Sequence, residues 1–163
     1  MYQTHILKNG LKIIHQQAVS RAAWCGLIIG VGSRDEREGE EGIAHFIEHV
    51  IFKGTERRKA FHILSRIEDV GGELNAYTTK EDTCIYASFL KEDYERALEL
   101  FADIVFHSVF PAKEIEKEKE VVIDEINSYK DSPGELIYDD FEELIYDGYA
   151  IGRNILGNEA AVK

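Results

Sequence analysis

The chain has 163 residues, 44% of them hydrophobic, and this size and composition predict one well-packed globular domain. Asp and Glu outnumber Lys and Arg by 31 to 19, which gives a formal net charge of −12. So acidic a chain is a poor candidate for binding a nucleic-acid backbone or an anionic membrane surface. Its charge would instead attract cations, including metal ions and basic peptides.

Cysteine content and hydropathy predict the compartment. Cys25 and Cys84 form neither a CxxC pair nor a disulfide framework. The first residues contain no basic segment followed by a long apolar run, and no stretch reaches ~18 uninterrupted apolar residues. We therefore expect a reducing compartment, a cytoplasmic location and no membrane partner.

The first half of the chain predicts strands and two short helices. Asn9-Gly10 lies between two β-prone runs and predicts a hairpin, and the apolar run "AWCGLIIGVGS" predicts a third, more buried strand. A charged loop at 34–42 precedes a first helix, and a second helix stops at Gly71-Gly72. The runs "ELNAYTT" and "TCIYASFL" then predict another pair of strands.

From Asp93 onward the pattern is helical. Pro111 and Pro133 each predict the start of a further helix, since proline is favoured at the first helical position. On the helix after Asp93, one apolar stripe is formed by Tyr94, Leu98, Phe101 and Val105. The chain contains no repeat of strand and crossover helix, so the predicted fold class is α+β and not a doubly wound sheet.

The stretch "HFIEHVIF" interrupts the first apolar helix with His45, Glu48 and His49. Each helical residue advances about 100°, so relative to His45 the other two fall near 40° and 300°, on one face. Histidines four residues apart can both reach one ion at the zinc–nitrogen distance of ~2.0–2.1 Å. Glu48 flanks them, where its carboxylate could take a proton from a metal-bound water. The pattern indicates metal-assisted amide hydrolysis.

A catalytic zinc site of this kind needs a third protein ligand and keeps its fourth position for water. The charged helix at 111–130 has an apolar stripe of Ile115, Val122, Ile126 and Tyr129. Glu118 and Glu125 lie on one edge of that stripe, about 10 Å apart along the axis, too far to share an ion easily. One is expected to be a ligand and the other to orient a histidine, and the spacing alone does not say which.

Four stretches, in the same order along nearly the whole chain, carry a family resemblance. They are "HFIEHVIFKGTERR", "IEDVGGELNAYTTKEDTCIYAS", "EKEKEVVIDEI" and "GRNILGNEAAV". The chain resembles the catalytic half of the pitrilysin, insulysin and mitochondrial processing peptidase family, in its bacterial processing-peptidase-like branch. These zinc metallopeptidases are inverzincins, whose HxxEH order is the reverse of HExxH. The resemblance implies a mostly antiparallel sheet packed on one side by helices.

The resemblance also implies roles for individual residues. It assigns three ligands to one Zn²⁺ ion: His45, His49 and Glu125. It implies that Glu48 is the general base and that Glu118 supports the ligands from behind. Asn75 and Ala76, in "LNAYT", are implied substrate contacts, because family substrates lie extended against this edge-strand region. The expected partner is a peptide, not a nucleic acid.

Family members continue into a related second domain and then another half, which closes over the peptide. The resemblance therefore implies that residues 1–163 are an incomplete N-terminal zinc-peptidase catalytic domain, completed by further domains of the same chain or by a second subunit. The leading hypothesis is a zinc endopeptidase acting on extended peptides or presequence-like segments. A noncatalytic scaffold or partner subunit of the same fold, and a zinc-free acidic interaction domain, are the alternatives. Manganese or cobalt could also use this donor set.

Overall fold

The computed structural model describes all of residues 1–163. Its strands are β1 (Tyr2–Ile6), β2 (Lys12–Gln16), β3 (Ala22–Ile29), β4 (Glu73–Thr78) and β5 (Thr83–Leu90). Its helices are α1 (Ile43–Val50), α2 (Ala60–Glu68), α3 (Tyr94–His107), α4 (Ala112–Lys130), α5 (Pro133–Ile145) and α6 (Glu159–Val162). Short 3₁₀ turns occur at Ser33–Asp35, Lys91–Asp93 and Ala150–Gly152. None of the helices is both long and apolar enough to cross a membrane.

The strands form two antiparallel sheets. β1 and β2 pair as the predicted hairpin, and Gly10 takes the left-handed conformation (φ +90°) that its turn requires. The other sheet has the order β3-β5-β4, so β4 has one unpaired edge. This arrangement confirms the predicted α+β class.

The main core lies between the three-stranded sheet and helices on one of its faces. Its buried side chains are Ile51, Ile63, Ile67, Ala76, Ile85, Ala87, Phe89, Ala97, Leu100, Phe101 and Ile104. The prediction that β3 is more buried than the two hairpin strands is confirmed. β1 and β2 are exposed throughout, whereas β3 has partly buried side chains at alternate positions and its other side chains point to the uncovered face. Trp24 and Ile28 are 70% and 68% exposed.

The predicted apolar stripe of α3 was partly wrong. Phe101 is buried, but Tyr94 and Leu98 are each 51% exposed. The face that packs instead is centred on Ala97 and Ile104, both fully buried. Helix α3 packs against α2 and the sheet, and Ala97 belongs to the core formed there, so the buried face of α3 is the row beside the predicted stripe.

A second, smaller core holds α4 against α1 and α6. Val122, Ile126 and Val162 are buried there, with Phe46 of α1 packed against them. Val122 and Ile126 belong to the predicted stripe of α4, and Glu118 on the same helix is buried as well. This packing brings the charged helix beside the histidine-bearing helix.

Candidate metal centre

The start of α1 is fixed from two sides. The buried carboxylate of Glu36 accepts hydrogen bonds from the backbone N–H groups of Gly42 and Ala44, both at 2.9 Å. Burial raises the pKa of Glu36 above its usual range, although these two hydrogen bonds oppose the change. On the other side, Gly42 lies against the backbone of Leu156, so close that a β-carbon would not fit. These contacts fix the first turn of α1, and His45 lies on that turn, three residues after Gly42.

Three potential ligand atoms converge between α1 and α4. Nε2 of His49 lies 3.2 Å from one carboxylate oxygen of Glu125, and Nε2 of His45 lies 3.7 Å from the other. The three ligand atoms lie within 4.8 Å of one another. His45 is buried, whereas the side chain of Glu125 is 43% exposed, so the cluster opens to solvent on the Glu125 side.

The environment of His45 favours its neutral form. Burial, followed by the neighbouring His49, holds the pKa of His45 below its usual 6.5, although Glu125 and Glu48 oppose the shift. A neutral imidazole offers a lone pair to a cation, as a ligand must. Nδ1 of His45 is buried and finds no hydrogen-bond partner in the chain, so its Nε2 is the nitrogen that faces other polar groups.

Glu118 occupies a different place from Glu125. Its Oε2 lies 3.3 Å from Nδ1 of His49, the ring nitrogen on the far side from Glu125. Its Oε1 lies 2.6 Å from the ammonium nitrogen of Lys53. The spacing of the two glutamates did not say which of them approaches both histidines. In the structure Glu125 is part of the cluster with His45 and His49, and Glu118 contacts His49 from the opposite side of its ring.

Glu48 lies on the same helix and reaches strand β4. The hydroxyl of Thr78 donates to Oε2 of Glu48 at 2.6 Å, and α1 packs against β4. Asn75 and Ala76 lie on that strand, with Asn75 exposed and Ala76 buried. The N–H of Ala76 donates to the side-chain oxygen of Asn75 at 2.9 Å. The strand with the unpaired edge is therefore joined to Glu48 by a hydrogen bond. The role of Asn75 and Ala76 in binding substrate stays a prediction.

The donor set fits a divalent cation. Two imidazoles and a carboxylate are the ligand types that zinc accepts in catalytic sites. In their ionised forms, the carboxylates of Glu48, Glu118 and Glu125 carry three negative charges, and Lys53 supplies one positive charge. The two remaining charges would be neutralised by one divalent ion, which explains how so many acids tolerate this partly buried place.

Comparison with known proteins agrees with this arrangement. Residues 12–159 match the family described as insulinase (peptidase family M16). The chain belongs to this family. The insulinase-family chain is 39% identical over 160 residues to the uncharacterized zinc protease YmxG of Bacillus subtilis, covering 98% of itself and 39% of that protein. It is 37% identical over 161 residues to the mitochondrial-processing peptidase subunit beta of Rattus norvegicus, covering 99% and 33%.

Solved structures support the same family fold. A protease from Helicobacter pylori superposes with a TM-score of 0.94 at 27% identity, over 99% of this chain and 40% of that one. A peptidase M16 inactive domain from Pseudomonas fluorescens gives 0.89 at 20% identity, over 99% and 40%, and shares the fold. The insulinase-family chain thus spans about two fifths of the length of these proteins.

Sequence reasoning missed three residues that contact this centre or its helix: Glu36, Lys53 and Thr78. Lys53 follows His49 by four residues and lies just beyond the end of α1, a spacing that could have placed both on one side. Thr78 lies on the same strand as Asn75, which could have drawn attention to it. For Glu36 no local signal exists, since six residues separate it from the first N–H that it accepts from.

Proposed function

We propose that this chain is the catalytic part of a zinc-dependent endopeptidase, in which His45, His49 and Glu125 hold the ion and Glu48 is the general base. The observation that carries the proposal is the convergence of two imidazole nitrogens and a carboxylate oxygen within 4.8 Å, with a second carboxylate beside them on the same helix. The zinc protease among its relatives supports zinc as the ion.

Each of these side chains has a chemical task in amide hydrolysis. The bound ion would supply Lewis-acid polarisation of the scissile carbonyl and acidify the attacking water. Glu48 takes the proton of that water and delivers it to the leaving amine, and Thr78 holds its carboxylate in place. Glu118 accepts the N–H of His49 at Nδ1, which leaves Nε2 free to bind the ion.

We also propose that an extended peptide binds along the free edge of β4, where Asn75 and Ala76 would contact it. An unpaired strand edge can add a peptide as a further strand, and the geometry gives β4 such an edge beside Glu48. The chain's net charge of −12 favours basic, presequence-like segments. Further domains or a second subunit would close the chamber, as the greater length of the relatives suggests. We refer to that complete molecule as the assembled enzyme.

Substituting Glu48→Gln tests the proposed base. The variant is expected to keep its zinc, because Glu48 lies outside the three-ligand cluster, and to lose peptide hydrolysis in the assembled enzyme. Glu120→Gln removes one carboxylate from the exposed side of α4 and is the matched control, with wild-type activity expected. Full turnover by the Glu48→Gln variant would show that the base is wrongly assigned.

Metal analysis tests the site itself and separates the alternative roles. Protein purified without contact with immobilised metal should contain about one zinc per chain. His49→Ala should abolish that zinc, and His62→Ala, which changes an exposed histidine of α2, should not. A chain without stoichiometric metal would support an acidic interaction domain. Bound zinc together with no hydrolysis by the assembled enzyme would support a noncatalytic subunit.

A further inference from the structure

Lys53 connects the end of α1 to the candidate metal centre. Its ammonium nitrogen lies 2.6 Å from Oε1 of Glu118, whose other oxygen lies 3.3 Å from Nδ1 of His49. The side chain of Glu118 is only 11% exposed and that of Lys53 is 29% exposed, so water screens this pair only partly. Side chains from α1, from α4 and from the segment after α1 thus form one continuous line of contacts that ends at the imidazole.

The segment that follows Lys53 is tightly held. The hydroxyl of Thr55 accepts from the backbone N–H groups of Arg57 and Arg58 and donates to buried Asp103 of α3 at 2.8 Å. The backbone of Gly54 accepts from the N–H of Val109, just before α4. The side chain of Lys53 therefore projects from a turn that is anchored to α3 and to the segment before α4. This anchoring limits the positions that its ammonium group can reach.

We propose that Lys53 is a positioning residue for the metal ligand His49, acting through Glu118. This inference rests on the proposed function. A carboxylate as buried as that of Glu118 needs a compensating charge, and Lys53 supplies it while occupying only one of the two oxygens. The second oxygen remains free to accept the N–H of His49, which fixes the ring orientation and directs Nε2 toward the cluster.

Without Lys53, the buried carboxylate would lose its charge partner and would either turn toward solvent or bind the imidazole differently. Both changes release the ring of His49. Substitution of groups that orient a metal-bound histidine typically weakens metal binding 10- to 100-fold, and Lys53 acts one contact farther away. We expect the zinc dissociation constant of Lys53→Met to rise about tenfold.

The test measures zinc affinity by competition with a chromophoric chelator, for the whole chain and its variants. Lys53→Arg should bind zinc as the wild type does, because its guanidinium can also pair with Glu118. Lys117→Met is the matched control: it removes an exposed lysine of α4 that pairs with Glu114 at 2.8 Å, and its affinity should not change. Should Lys53→Met fail to fold, Lys53→Gln provides the same loss of charge in a polar side chain.

A double substitution distinguishes positioning from a general structural role. In a Glu118→Gln background, Lys53→Met should weaken zinc binding little further, because both changes break the same line of contacts. Unfolding of the metal-free chain serves as the readout of a merely structural role, and it should change far less than the zinc affinity. Wild-type affinity in Lys53→Met, or a loss that adds in full to that of Glu118→Gln, would overturn the inference. If the wild-type chain itself bound no zinc, the proposed function would fail first, so the two failures are distinguishable.

Discussion

The hydroxyl of Thr78 donates a 2.6 Å hydrogen bond to the carboxylate of Glu48 and so joins strand β4 to helix α1. β4 is an edge strand, and Glu48 lies on the helix that also carries His45 and His49. A peptide added to this edge would therefore bind to the same strand that holds the proposed base. The contact offers a physical route by which substrate binding and the position of the base depend on each other.

Thr78→Val is expected to lower kcat of the assembled enzyme about 10- to 100-fold. The substitution keeps the shape of the side chain but removes the donor to a carboxylate, and hydrogen bonds to charged groups contribute roughly 1.5–3 kcal/mol. Zinc content should be unchanged, because Thr78 touches none of the three clustered ligand atoms. Steady-state kinetics with one peptide and metal analysis of the same preparations measure both quantities.

Thr78→Ser retains the hydroxyl and should recover most of the activity. If the valine variant keeps wild-type kcat, Thr78 does not position the base. A loss of zinc in the valine variant would mean that the contact supports the fold of the centre and not Glu48 alone.

Gly42→Ala is expected to destabilise the start of α1. Gly42 has a φ of +91°, and an added β-carbon would lie 2.5 Å from the backbone oxygen of Leu156. Gly39→Ala is the matched control, because Gly39 has a φ of +86° but nothing within 4 Å of the added carbon. The control should lose about 1–2 kcal/mol from backbone strain, and Gly42→Ala about 1–3 kcal/mol more from the clash.

Urea unfolding of the two glycine variants measures this difference, and zinc affinity shows whether α1 has moved. We expect weaker zinc binding only in Gly42→Ala, since His45 follows it by three residues. Equal losses of stability in both variants would mean that Leu156 shifts aside and that the C-terminal segment does not fix the helix.

Asp103→Asn is expected to reduce the free energy of unfolding by about 3–5 kcal/mol at pH 7, the usual cost of breaking a buried ion pair. Asp103 is 1% exposed and accepts hydrogen bonds from Arg58 at 2.5 Å and Thr55 at 2.8 Å. Burial alone would raise its pKa, but the hydrogen bonds from Arg58 and Thr55 outweigh burial and hold that pKa below its usual 3.8.

The pH dependence follows from the sign of this shift. A carboxyl whose folded pKa is depressed contributes stability that is present above its unfolded pKa and is lost as the pH falls through the folded value. The gap in stability between the wild type and Asp103→Asn should therefore narrow as the pH falls below about 3.8. Glu95→Gln, an exposed change on the same helix, should cost less than about 1 kcal/mol. A gap that stays constant down to pH 3 would contradict the role given to Asp103.

Periodicity predicted elements better than it predicted which faces are buried. The Asn9-Gly10 hairpin and the helix after Pro133 were correct because turn and cap residues act locally. The α3 stripe was only partly correct, because Leu98 is apolar but 51% exposed, just as Trp24 of β3 is apolar but 70% exposed. Whether an apolar side chain is buried depends on elements distant in the sequence that pack over it. Here helices pack on only one face of the three-stranded sheet.

The sequence by itself determined that His45, Glu48 and His49 share one face of a helix, since helical spacing is fixed by the backbone. It also supplied the motifs that mark the insulinase family. Helical spacing left the roles of Glu118 and Glu125 open and the family resemblance implied them, whereas the tertiary structure shows Glu125 at the histidine cluster and Glu118 behind His49. Only the tertiary structure revealed the contacts of Lys53 and Thr78. The physical reason is that these contacts depend on how α4 and β4 pack against α1, and that packing is fixed by buried side chains such as Val122 and Ala76 and by no local pattern.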